Sequence, residues 1–96
     1  MAVVVVSELS GGTQHLYDQV SARVIPENRL PEGCQVHIAG PTNGGWRVIT
    51  VWDSEEQLQR FRSEKLIPAM KEVAGDDFVA PSFQSNPVHR LTVFSA

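Results

Sequence analysis

The chain has 96 residues, which suits one domain and leaves no room for two. Apolar residues make up 42% and charged residues 20%, so the chain can bury a core. Eight Lys and Arg against eleven Asp and Glu give a net charge of −3, with no basic run longer than two residues. That balance argues against a nucleic-acid partner, because phosphate neutralisation needs clustered cations. One cysteine, Cys34, cannot close an internal disulfide and fits a reducing, cytoplasmic setting. The N-terminus lacks the basic flank and long apolar run of a secretory leader, and no membrane span is expected.

Valine is the commonest residue, at thirteen, and Val3 to Val6 form an unbroken β-branched run that ends at Ser7 and Gly11-Gly12. A continuous run predicts a strand covered on both faces. Thr13 then opens a helix as N-cap. Leu16, Tyr17, Val20 and Val24 recur at helical spacing, while Gln14, Asp18, Gln19 and Arg23 take the other side. Pro26 and Pro31-Glu32-Gly33 end it.

Two strands follow, Cys34 to Ala39 and Trp46 to Trp52, rich in aromatic and β-branched residues. The connection Gly40-Pro41-Thr42-Asn43-Gly44-Gly45 carries an Asn-Gly pair and predicts a hairpin with a longer loop. Ser54 and Gln57 form a capping box for a second helix, with Glu55 and Glu56 in its first turn. Leu58 and Phe61 are expected to face the core, and Gln59, Arg60 and Arg62 to face outward. Pro68 predicts a break near Lys65 and a short helical restart over Pro68 to Val73. A loop with Gly75, Pro81 and Pro87 leads to an expected last strand, Val88 to Phe94.

The order β-α-β-β-α-β over 1–96 predicts a single ferredoxin-like α+β domain. Its four-stranded antiparallel sheet has strand order 4-1-3-2, with both helices on one face. The second face stays uncovered. Trp46, Val48 and Trp52 share one strand parity, while Ile49 and Val51 share the other, so both faces carry apolar side chains. An uncovered apolar face predicts a homodimer packed sheet against sheet.

The stretches Thr13 to Asp18, Val36 to Pro41, Gly44 to Ser54, Phe61-Arg62 and Leu66 to Ala69 resemble the dimeric α/β-barrel superfamily. Within it they are most similar to small bacterial proteins related to antibiotic-biosynthesis monooxygenases. The most specific part is Trp52-Asp53-Ser54 entering the second helix. The resemblance implies a homodimeric α/β barrel with a pocket between sheet and helices in each subunit. Members oxidise phenolic polyketides without a cofactor, cyclise linear polyketides, break down haem, isomerise muconolactone or simply bind. The haem-degrading branch uses an asparagine on the first strand and a histidine on the second helix, and this chain has neither. The cyclases use a histidine and a tyrosine near the pocket.

His37, mid-strand between Val36 and Ile38, is the first candidate for a general base. The competing reading is a histidine that merely bonds a neighbouring group. His89 is expected on the opposite edge of the sheet, where it can approach His37 of a second copy. His15 begins the first helix and is expected to be exposed. Trp46 and Trp52 point to one face and, with Tyr17, are expected to line an aromatic-substrate pocket; core or seam packing is the alternative. Arg47 has the opposite parity and needs an acidic partner or solvent. The spacing of the three histidines and the lone cysteine predicts no metal site, and the resemblance to cofactor-free oxygenases implies no cofactor. Cys34 is expected to be inert. Two functions follow: a cofactor-independent monooxygenase or cyclase-like enzyme acting on a small aromatic or polyketide-like molecule, or a non-catalytic small-molecule-binding or structural dimer.

Overall fold

The structure is a computed structural model and describes residues 1–94. Val3–Ser10 form β1, extended well beyond the valine run because Ser7 and Leu9 keep the alternation going. Helix α1 spans Gln14–Val24. Its first turn is capped as the sequence predicts: the Leu16 N–H donates to Thr13 Oγ1 at 3.1 Å. A single 3₁₀ turn, Pro26–Asn28, then carries the chain off the helix.

β2 (Cys34–Thr42) and β3 (Gly45–Trp52) form a hairpin. Thr42 pairs with Gly45, so only Asn43 and Gly44 make the turn. The expected longer loop is therefore absent. Gly44 supplies the positive φ of +92° that closes the turn early. Gly45 is required for another reason, since a Cβ there would overlap the Leu9 carbonyl oxygen of β1.

Helix α2 (Glu55–Phe61) starts at Ser54, whose Oγ accepts from the Gln57 N–H at 3.2 Å. The same hydroxyl donates to Gln57 Oε1 at 3.1 Å, so the box closes on the Ser54 side chain. The break expected near Lys65 is instead a π turn over Arg62–Leu66, where the Ile67 N–H reaches the Arg62 carbonyl five residues back. The chain then runs without interruption into α3, Ile67–Ala74, with Pro68 in its first turn. Widening the helix makes room for a proline ring that would otherwise strike the preceding turn.

β4 is Ser82–Pro87, which corrects the expectation of a strand over Val88–Phe94. β propensity favoured the valine-rich segment, but tertiary pairing decided the matter. Phe83 and Ser85 alternate inward opposite Ser7 and Val5, and Pro87 ends the strand opposite Val3. The Val88 N–H still donates to the Ala2 carbonyl at 2.9 Å, and residues 89–94 lie outside the sheet.

The four strands are antiparallel in the order β2-β3-β1-β4, with the helices on one face. Beneath the helices are two apolar clusters. Val3, Val5, Trp52 and Leu58 form one. Val20 with Ala69 and Met70 forms the other. The second sheet face has a regular row pattern. Val36, Val51 and Val4 lie side by side, then Ile38, Ile49 and Val6, then Gly40, Arg47 and Glu8. Ile38 is 56% exposed on that face. No helix among the described residues is long and apolar enough to cross a membrane.

Candidate functional site

A cavity of about 130 Å³ lies between the sheet and the helices, at the seam of the two core clusters. Its lining is mostly apolar, from Val5, Leu9, Leu16, Trp46, Trp52 and Met70 among others. Filling such a volume with side chains would add up to about 3 kcal/mol of stability, taking roughly 24 cal/mol per Å³. The fold forgoes that packing.

Tyr17 and His37 meet at this cavity, with Tyr17 Oη 2.6 Å from His37 Nε2. The Thr13 cap fixes where α1 begins and so sets Tyr17 one turn into the helix. His37 reaches the same cavity through an irregularity in β2. The pairing steps from Cys34–Trp52 directly to Val36–Val51, leaving Gln35 as a bulge. In a regular strand, residues 34 and 37 would point to opposite faces. The extra residue brings Cys34 and His37 to the same one.

Burial holds the His37 imidazole below the ordinary histidine range. Burial also pushes the Tyr17 phenol up, with the Asp18 carboxylate adding to it. Both groups are therefore neutral near pH 7, so the phenol donates to Nε2 and the imidazole proton sits on Nδ1. The Tyr17 ring lies 5.3 Å from Trp46, centroid to centroid. The Trp46 indole N–H is buried and meets no protein acceptor among the described residues. That of Trp52 donates to Thr50 Oγ1 at 2.9 Å.

Trp52 serves two roles: it is 2% exposed, packs against Phe61 at 5.1 Å, and still forms part of the cavity wall. Cys34 also lines the cavity, but burial raises its thiol pKa and its S–H donates to the Val36 carbonyl, so it remains a thiol. His15 is exposed. His89 falls outside the sheet altogether, exposed at a bend, because β4 ends before it; the expected edge-strand position is corrected. Arg47 lies on the uncovered face, opposite Glu8 in register.

Arg62 is the residue that sequence reasoning misplaced. It was expected to face outward, yet it lines the cavity and stacks 3.7 Å above the Phe83 ring. The signal was present: residue 62 lies four after Leu58 and so shares its helix face. Among the described residues no group of three or more His, Cys, Asp or Glu side chains could hold a metal ion.

No protein-family model matches the chain, and no curated protein matches it. Solved structures do. Rv0793 from Mycobacterium tuberculosis superposes with a TM-score of 0.71 at 14% identity, covering 96% of this chain and 100% of its own. An antibiotic-biosynthesis-monooxygenase-like protein from Caulobacter crescentus CB15 gives 0.67 at 16% identity, covering 93% and 91%. A point mutant of SnoaB from Streptomyces nogalater, a cofactor-independent oxygenase, gives 0.57 at 14%, covering 96% and 95%. In fold, the chain is a ferredoxin-like α+β protein similar to these solved structures.

Proposed function

We propose that the protein is a cofactor-independent enzyme that deprotonates a small aromatic or polyketide-like substrate held between sheet and helices. The observation that carries this reading is the 2.6 Å contact between Tyr17 Oη and His37 Nε2 in an otherwise apolar cavity. A neutral dyad is suited to accept a proton. The substrate's phenolic or enolic O–H gives its proton to Tyr17 Oη as Tyr17 passes its own to Nε2. The products of that step are an imidazolium and a substrate anion. The anion then reduces dioxygen directly. Oxidation of a CH₂ to a C=O supplies four electrons, and the two oxygen atoms end in the new carbonyl and in water. Similarity in fold to SnoaB favours this oxygenase form over a cyclase.

The cavity is close in size to the roughly 150 Å³ apolar space that accepts benzene, so the buried part of the substrate is about one ring. Trp46 and Trp52 offer flat walls for a ring. The competing reading is a binding protein without turnover. It is favoured by the fact that Tyr17 and His37 satisfy each other's hydrogen bond.

The test is dioxygen uptake and quinone formation with an anthrone as probe. The wild type is expected to exceed the buffer rate and His37→Ala to lose that excess while keeping its fold. A wild-type rate no better than buffer overturns the enzyme, and anthrone binding without turnover selects the binding protein.

We also infer that a second copy of the chain covers the open sheet face. Six apolar side chains in two adjacent rows, Val36-Val51-Val4 and Ile38-Ile49-Val6, make a patch bordered by polar Asn86, Gln84, Arg47 and Glu8. A self-complementary apolar centre with a polar border is the pattern of a two-fold interface.

A further inference from the structure

Among the described residues, Arg62 is the one Lys or Arg that lines the cavity. Its guanidinium lies over Phe83, so the ring takes one face and the fork of N–H donors is left at the edge. Among the described residues no carboxylate lies within ion-pair distance of it, and no side-chain hydrogen bond engages it. Three other arginines behave differently: Arg23, Arg29 and Arg60 each pair with a glutamate. Burial also pulls the Arg62 pKa down with no neighbouring charge to offset it.

Its place in the helix adds to this. Arg62 is the first residue of the π turn and follows Phe61, which packs on Trp52. Such turns recur at functional sites because they turn a side chain away from the regular helical position. Phe83 belongs to the edge strand β4 and His37 to the opposite edge, β2. Three strand spacings separate those edges, about 14 Å between backbones. The cation and the Tyr17–His37 pair thus approach the cavity from opposite sides.

We propose that Arg62 is the anion anchor of the cavity and selects aromatic carboxylates, holding the carboxylate at the β4 side while the ring lies over the sheet toward Tyr17 and His37. A planar guanidinium fixed on an aromatic ring matches a carboxylate through two parallel N–H···O bonds. The apolar lining excludes acids without a ring or chain to bury. This rests on the reading that the cavity takes a small aromatic molecule, and it adds the charge that molecule carries.

The test compares naphthalene-2-acetate with naphthalene-2-acetamide, which has nearly the same shape without the charge, by titration calorimetry. The wild type is expected to bind the acid at least about tenfold more tightly, as charge-assisted bonds do against neutral ones. In Arg62→Met, which keeps the apolar stem on Phe83, the acid is expected to fall to the level of the amide while amide affinity holds. If that variant does not fold, Arg62→Gln carries the same comparison. Equal binding of the two probes by the wild type, binding of neither, or a preference that survives in the folded variant overturns the proposal. His37→Ala separates it from the enzymatic reading: the acid preference should persist there whatever happens to turnover.

Discussion

Tyr17 and His37, twenty residues apart in the chain, face each other at 2.6 Å across the join of helix and sheet. Both are neutral at pH 7 because the same partial burial moves their pKa values in opposite directions. This has a pH consequence. His37 titrates below its unfolded value of about 6.5. Between the two values the unfolded chain holds more protons, so stability falls as pH drops from about 6.5 through the lower folded pKa. Urea denaturation at several pH values between about 7.5 and 5 should show that loss in the wild type and a smaller one in His37→Asn. The acid limb of kcat/KM should likewise lie below about 6.5.

Replacing Tyr17 by Phe removes the donor to Nε2 and leaves the ring over Trp46 in place. A part-buried hydrogen bond of this kind contributes about 1 kcal/mol, so the variant should fold. Its turnover of the anthrone probe should fall by about 10²-fold, in the range of a lost proton-transfer partner. Loss of stability without a change in rate would make the pair structural.

The two tryptophans should separate under truncation. Trp52 is almost fully buried and joins the cluster of Val3, Val5 and Leu58, so Trp52→Ala should cost about 3–5 kcal/mol by chemical denaturation. Trp46 is only partly buried, beside the hairpin turn and the cavity. Trp46→Ala should cost less stability and weaken aromatic probe binding more.

Ile38 tests self-association. It is exposed in the single chain and central to one apolar row of the open face. The wild type should sediment at twice 10.6 kDa at micromolar concentration, and Ile38→Asp should sediment at 10.6 kDa with an unchanged far-UV spectrum. A wild type that stays at the single-chain mass would remove the sheet-to-sheet dimer.

Gly45 tests the close approach of β1 to the hairpin. Its missing Cβ would occupy the space of the Leu9 carbonyl oxygen, a backbone atom that cannot rotate away. Gly45→Ala should therefore destabilise by about 1–3 kcal/mol, measured by thermal or urea unfolding. The same change at Gly40, which has open space around it, should cost less.

Much of this molecule is written locally. Thr13 and Ser54 cap their helices, the Asn43-Gly44 pair turns the hairpin, and the alternation of Trp46 to Trp52 assigns each side chain to a face. These are short-range effects of hydrogen bonding, φ preference and period, so the sequence determined the element order and the sheet topology; it offered His37 and Tyr17 only as separate candidates, and their contact is tertiary. Three features needed the tertiary structure. β4 lies at Ser82–Pro87 because pairing with β1 outweighs the β propensity of Val88–Phe94. His37 faces the cavity with Cys34 because Gln35 bulges, and a bulge depends on the register with β3. Arg62 turns inward onto Phe83, a residue twenty-one positions further along the chain, because two distant segments meet there. The balance of charges, eight against eleven, argues against a nucleic-acid surface; only the packing of the helical layer on β4 left one of those eight cations unpaired at an apolar cavity.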